Sequence, residues 1–331
     1  MRRLLLKLLV LAALVAALPI GGAWWWLNRP LSLPAPTVDL SVEPGTLPRG
    51  VAQAVADAGV RVDPRLLYAW FRLSGQGRDI KAGSYELDGS ITPRSLLRKL
   101  ARGEESLRAV ILVEGWSFRQ LREALARADQ IRPETRGWDA EAIMAALGRP
   151  GVHPEGRFFP DTYTYAKGSS DLAVLRRALR AMDMRLEAAW AQRQPGLPLK
   201  SPQEALILAS IVEKETGKPA DRAQIAGVFI NRLRLGMLLQ TDPTVIYGMG
   251  EAFDGNLRRK DLRADTPWNT YTRVGLPPTP IAMPGRAALM AAVQPASTPA
   301  LYFVARGDGS SHFSANLEEH NRAVNKFQRG Q

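Results

Sequence analysis

The sequence predicts an α+β protein in consecutive parts: a single N-terminal transmembrane helix, a short linker, a small α+β module and a larger α+β domain. Three observations predict it. An uncharged apolar run opens the chain. Short β-branched runs then occur among capped, amphipathic helical patterns, which reads as α+β. Finally, a capped helix, apolar on nearly every side, lies at 201–217 within a long remainder. The boundaries read from these patterns are 1–28 for the cytoplasmic tip and anchor, 29–38 for the linker, 39–105 for the module and 106–331 for the larger domain.

From Leu8 to Leu27 no residue carries a charge, and about 20 residues at 1.5 Å each cross a hydrocarbon core. Arg2, Arg3 and Lys7 precede the run while only Arg29 follows closely, so the positive-inside bias keeps the N-terminus in the cytoplasm and exports the rest. Trp24, Trp25 and Trp26 stand where an interfacial aromatic belt belongs. The bulky end of the run and the lack of a lipidation cysteine favour a retained anchor over a cleaved signal peptide. The expected location is the cytoplasmic membrane, with the bulk of the chain outside it, in the periplasm if the cell has one. Pro30, Pro34 and Pro36 disfavour helix and strand alike, which predicts an extended linker.

Within the module, Leu40 and Val42 read as a strand that Glu43-Pro44-Gly45 turns, and a helix runs from Pro48 to Ala58 with Gly59 as its stop. Asp63-Pro64 opens a second helix, with Leu66, Leu67, Trp70, Phe71 and Leu73 as its apolar face. Ile80 to Leu87 gives a turn and second strand, and Thr92-Pro93 starts a helix that Gly103 ends.

In the larger domain Arg108 to Val113 is β-branched, Glu114-Gly115 breaks it, and Ser117 caps a helix. The stretch Pro154 to Tyr163 crowds aromatics and acids between prolines that keep it out of helix, and it is expected to line a cleft. A long amphipathic helix covers about Asp171 to Arg193. Then Ser201, Pro202 and Glu204 specify a helix start, Ala205 to Val212 is apolar, Glu213-Lys214-Glu215 follows, and Gly217 stops it. Asp221 with Gln224 caps the next helix, which Gly236 ends.

Composition bounds the chemistry. The chain has 331 residues, 46% of them hydrophobic, which permits real cores. A net charge of +12 suits nucleic acid or an anionic surface. The basic residues are scattered, however, and no nucleic-acid-binding signature occurs, so no nucleic-acid partner is expected. Without cysteine, thiolate nucleophiles and thiolate-bound metals are excluded. With only His153, His312 and His320, a catalytic triad or multi-histidine site has little material. Neither phosphate-binding glycine loop occurs, nor a nucleophile elbow, nor a zinc-protease helix. No cofactor and no metal are expected.

The module's order, with P-G-T-L at 44–47 and I-K-A-G-S-Y at 80–85, resembles the LysM-like modules at the front of membrane-bound murein enzymes. That resemblance implies contact with glycan strands; a plain spacer above the membrane is the other reading. Across nearly the whole chain, the ordered motifs I-V-E-K-E-T, E-G-x-x-F-P-D-T-Y, L-Q-T-D-P-T-V-I-Y-G, N-T-Y, G-L-P-P-x-P-I, L-Y-F-V, H-F-S and H-N resemble the YceG-like family of membrane-anchored endolytic murein transglycosylases. Trp268, Thr279 and Met283 depart from the family's usual Tyr, Gly and polar residue. The resemblance implies that 106–331 is a catalytic domain. It would cleave the β-1,4 bond between N-acetylmuramic acid and N-acetylglucosamine without adding water, leaving a 1,6-anhydro end. The implied partners are peptidoglycan glycan strands and membrane-bound peptidoglycan synthases, and the implied role is terminating or trimming nascent strands. A non-catalytic peptidoglycan-binding scaffold for synthases is the alternative.

Such a lyase needs one carboxyl group as acid and then base, because the sugar's own C6 hydroxyl attacks. A glutamate at the end of a buried helix has its neutral form favoured, reaching about 6 to 7 in known general acids. Periodicity places Glu213 on the face of Leu206, Ala209 and Ser210, where small neighbours leave room for a sugar, and Glu215 beside Leu208 and Ile211. The family's catalytic position also matches the first Glu of I-V-E-K-E. Glu213 is therefore the candidate catalytic residue, and Glu215 a structural one. Candidate substrate-binding residues are Glu155, Asp161, Gln240, Thr241, Asp242, Asn269, Tyr271, His320 and Asn321, with turn-making, helix-starting or packed histidine roles as their structural alternatives.

Overall fold

The structure is a computed structural model that describes residues 19–215 and 218–330. Most of the expected membrane span, Leu8 to Leu27, and the expected stop Gly217 lie outside the described residues. Residues 19–28 are helical, and among the described residues no helix is long and apolar enough to cross a membrane. The chain divides into two units, 1–108 with 165–167, and 109–164 with 168–331. Its class is α+β, and the strands form three two-stranded sheets among the described residues.

In the first unit β1 (Thr37–Val42) pairs antiparallel with β2 (Gly83–Asp88), from Thr37 opposite Asp88 to Val42 opposite Gly83. Strict alternation along β1 sends Val38, Leu40 and Val42 inward. Three helices cover that face: α1 (Pro48–Asp57), α2 (Pro64–Leu73) and α3 (Pro93–Arg102). Each begins with proline in its first turn, and Asp63 and Thr92 cap α2 and α3 through side-chain oxygens. Val51, Val55, Leu67, Phe71, Tyr85, Leu96 and Leu100 close a single core. Leu66 and Leu73, expected on the buried face of α2, are exposed. They lie seven residues apart on a stripe turned away from the one that carries Leu67 and Phe71. The prolines extend the 29–38 stretch as expected, but it packs rather than standing free. Leu31 is buried, its N–H donates to the Ile91 carbonyl at 2.8 Å, and Arg61 N–H donates to the Ser32 carbonyl at 2.9 Å.

The second unit is organised around one helix. After β3 (Leu107–Ile111) come α4 (Phe118–Arg127), α5 (Ala140–Ala146) and β4 (Thr162–Ala166), which pairs with β3. Next are α6 (Asp171–Ala191), α7 (Pro202–Glu215), α8 (Pro219–Arg234), α9 (Asp242–Met249), α10 (Arg259–Arg263) and α11 (Arg286–Val293). A hairpin of β5 (Tyr302–Ala305) and β6 (Ser311–Ser314) and the helix α12 (Leu317–Gln328) complete it. Helix α7 is apolar all round because α6, α8, α9 and α11 pack around it. Leu206, Leu208, Ala209, Ser210, Ile211 and Val212 have no accessible surface. Helix α8 begins at Pro219, two residues before the expected cap. Asp221 instead accepts the Ser311 N–H at 2.7 Å and ties the β5–β6 hairpin to α8.

Candidate active site

The last turn of α7 carries two acids with different surroundings. The Glu213 side chain is 6% exposed and that of Arg222, on α8, 14%. Arg222 Nη2 lies 3.4 Å from Glu213 Oε1, and the Gly285 N–H donates to Oε2 at 2.8 Å. Burial pushes the Glu213 carboxyl above the usual range, and the nearby Glu114 charge adds to this. The Gly285 hydrogen bond and the Arg222 and Lys214 charges oppose it. Lys214 Nζ donates to the Gly115 carbonyl at 3.3 Å. The Nε of Arg222 is buried and has no hydrogen-bond partner among the described residues, which leaves a donor beside the carboxylate.

The small face of α7 is not open to a sugar. Ser210 donates to the Ile207 carbonyl at 2.7 Å and accepts the Ile281 N–H at 3.0 Å, so the notch at Ala209 and Ser210 is filled by the segment 280–285. That segment runs on to Gly285, which addresses Glu213. Small side chains on this face let the protein's own backbone approach and orient the acid. Two exchanges with the Glu114-Gly115 turn fix the segment: Gly115 N–H donates to Met283 O at 2.8 Å, and Met283 N–H to Trp116 O at 2.7 Å. Gly156, at φ +74°, packs against Pro280, where a Cβ would come within 2.5 Å of the proline ring carbon, so only glycine suits that crossing.

Of the stretch Pro154 to Tyr163, expected to line a cleft, 154–160 is interior except at the half-buried Arg157, Asp161 and Thr162 are exposed, and Tyr163 is buried. Glu155 is buried; Oε1 accepts the Phe118 N–H at 2.9 Å and Oε2 the Tyr247 hydroxyl at 3.1 Å. Burial raises its carboxyl to about 7. Both of its oxygens thus hold protein groups, at the start of α4 and on α9.

Glu215 sits two residues past Glu213 and faces another group. It accepts the Thr241 hydroxyl, and burial lifts it to about 7, with the Asp242 charge adding and Thr241 opposing. The Tyr271 hydroxyl donates to Asp242 Oδ1 at 2.6 Å. Thr241 is interior, its N–H donating to Thr270 Oγ1 at 3.0 Å, whereas Gln240 and Asp242 reach the surface. Gln240 adopts φ +52°, and Arg232 Nη1 donates to its side-chain oxygen at 3.1 Å. Asp242-Pro243 does start the short helix α9. The end of α7 therefore gathers Glu213 with Gly285 and Arg222, and Glu215 with Thr241, Asp242 and Tyr271.

The other candidates lie elsewhere. Asn269 is fully buried; its amide donates to the carbonyls of Leu262 and Ala264 and its oxygen accepts the Tyr271 N–H, so its capacity is spent on its own loop. Asp161 is exposed at the start of β4, 3.7 Å from Arg185. His320 stacks on Tyr302, whose ring also lies under Arg232; its Nδ1 is buried with no partner among the described residues, and burial lowers its basicity. Asn321 is exposed on α12. Among the described residues no group of three or more His, Asp or Glu side chains could hold a metal ion.

The sequence model of the YceG-like family matches residues 40–326. The chain belongs to the YceG-like family. A Bacillus subtilis (strain 168) protein named endolytic murein transglycosylase is 30% identical, over 93% of this chain and 91% of its own length. A Streptococcus pneumoniae (strain D39) protein of the same name is 27% identical over 96% of this chain; the match spans 64% of the pneumococcal protein. A solved yceG-like protein of Listeria monocytogenes is similar at TM-score 0.53 and 27% identity, covering 86% of this chain and 98% of that one. In this YceG-like chain the acid's partners Arg222, Gly285 and Glu114 were missed from sequence. Glu114-Gly115 was legible only as a strand breaker and Met283-Pro284-Gly285 only as a turn, because the contacts that join them to Glu213 span about 70 to 100 residues of chain.

Proposed function

We propose that this chain is an endolytic murein transglycosylase in which Glu213 alone serves as acid and then base. The observation that carries the reading is the Glu213 carboxyl, nearly buried at a helix end, protonation favoured by burial, one oxygen engaged by Gly285 and the other beside Arg222. The protonated carboxyl gives its proton to the glycosidic oxygen as the bond from the muramyl C1 breaks, releasing the glucosaminyl 4-hydroxyl. Arg222 and the Gly285 N–H then steady the carboxylate. The muramyl C6 hydroxyl attacks C1, its proton passes to Glu213, and the 1,6-anhydro ring closes with the enzyme restored and no water consumed. Glu215, bound by Thr241, shapes the helix end, while Gln240, Asp242 and Tyr271 offer polar groups to the sugars. Mass spectrometry of products from purified murein tests this: new ends lighter by one water than reducing ends are expected, and reducing ends overturn the lyase chemistry. Strand shortening of either kind overturns the scaffold alternative.

The run Leu8 to Leu27 is proposed as the retained anchor, with this domain outside the cytoplasmic membrane, where nascent strands and membrane-bound synthases are found. A phosphatase reporter fused after Asn28 is expected to be active only if exported; an inactive fusion reverses the topology. The LysM-like module is proposed to contact glycan strands, with a spacer above the membrane as the other reading.

A further inference from the structure

The second unit has a cavity of about 610 Å³ that the reaction does not use. Its walls are the outer side of α4 (Arg119, Arg122 and Glu123), the 133–137 turn with Arg136, and the start of α5, over a floor that includes Phe118 and Leu125. The turn is held from beneath by the buried Asp171, whose carboxylate accepts the Thr135 N–H at 3.1 Å and the Thr135 hydroxyl at 2.7 Å. One guanidinium is also set in place, because Arg122 Nη2 donates to the Thr135 carbonyl at 3.3 Å. Guanidinium carries five N–H donors in a fork that matches a carboxylate. The acids nearby offset this charge only in part, since neither pairs with Arg122 or Arg136. Asp171 is occupied by Thr135 and Leu172, and Glu123 is shared between Arg119 and Arg127 at 3.3 and 3.6 Å. A preformed, partly apolar cavity rimmed by one anchored guanidinium, Arg122, and two exposed ones, Arg119 and Arg136, suits a small peptide that carries carboxylates.

Its place along the chain ties it to the reaction. A Cβ on Gly115 would lie 4.0 Å from Glu213 Cγ, and α4 starts three residues later. At no more than about 3.5 Å per residue, then 1.5 Å per residue along the helix, the backbone of Arg119 and Arg122 stays within roughly 20 Å of the acid. An extended peptide of four or five residues spans about 14 to 18 Å, comparable to that bound, so one attached to the sugar at Glu213 has the length to approach the arginine side chains.

We propose that this cavity is a subsite for the carboxylate-bearing peptide stem of the murein strand, which gives the enzyme a preference for strands that still carry their stems. The proposal rests on the murein reading above. The test compares initial rates of the full chain on uncross-linked strands bearing stems and on the same strands stripped of them by an amidase. The wild type is expected to favour stem-bearing strands, and the ratio is expected to fall about tenfold in Arg119→Ala/Arg136→Ala, the size of one lost charge-assisted contact. Arg136→Lys keeps the charge but not the fork and is expected to fall between. A folding defect slows both substrates and leaves the ratio unchanged, so the ratio isolates the subsite. Equal wild-type rates on the two strands, or a wild-type ratio retained in the double variant, overturn the subsite while the transglycosylase reading stands. No cleavage of either strand overturns that reading itself.

Discussion

Glu213→Gln is expected to lower strand cleavage by about 10³-fold, within the range of a lost general acid and base, while the protein melts within a few degrees of the wild type. The amide is isosteric, and its oxygen can still accept the Gly285 N–H that now meets Oε2. The contact with Arg222 is long at 3.4 Å, so the exchange breaks no strong ion pair. What the amide lacks is a transferable proton in the ground state and a basic oxygen once the leaving group departs. The measurement is release of soluble muropeptides from purified murein, with circular dichroism on the same samples. Cleavage within a factor of ten of the wild type would sink the assignment. Glu215→Gln separates the two acids: it is expected to retain chemistry, since Glu215 serves Thr241, and to show its effect in stability.

Much of the architecture was legible because local rules and packing agree. The capped starts at Asp63, Thr92 and Ser117 and the prolines opening α1, α2, α3 and α7 are cues read from adjacent residues. The apolar circumference of α7 announced a helix surrounded by others, and it is. The acids of the candidate site could be named from sequence, but their geometry could not. Glu213 and Glu215 are two residues apart in sequence, yet their environments are set by Gly285 and Arg222 in one case and by Thr241 in the other. Periodicity identifies the small face of α7 but cannot say that residues 280–285 occupy it, because that packing is a long-range choice. Glu155 shows the same limit. An acid between prolines reads as an exposed turn, and only the fold reveals the Phe118 N–H and Tyr247 hydroxyl that let it be buried.

Those buried acids set the second large expectation, a stability that rises as the solution is made more acidic. Glu155 and Glu215 are both held at about 7, against 4.5 for a free side chain. Between those values the folded chain keeps protons that the unfolded chain releases. The slope of unfolding free energy with pH is therefore negative in this window. The stabilisation is complete below about 4.5 and is lost as pH rises through 7, amounting to at most about 3 kcal/mol per group. Glu213, also raised by burial, acts in the same direction. The exposed Asp88, Asp254, Asp265 and Asp308 are held below the usual range by their hydrogen-bond partners. They work oppositely, but only at more acid pH, where their protonation removes those interactions. Thermal melts from pH 5 to 8 are thus expected to give the highest Tm near pH 5, falling by about 5 °C or more towards pH 8. Glu155→Gln and Glu215→Gln each replace a titrating group by a neutral one and are expected to flatten the slope. In Glu155→Gln the amide oxygen can accept the Phe118 N–H while the Tyr247 hydroxyl oxygen accepts from the amide nitrogen, and in Glu215→Gln the Thr241 hydroxyl can still donate to the remaining carbonyl oxygen, so both variants should fold. A Tm that climbs with pH across this window, or variants with the wild-type slope, would show that these carboxyls are ionised in the folded protein and that burial does not govern them.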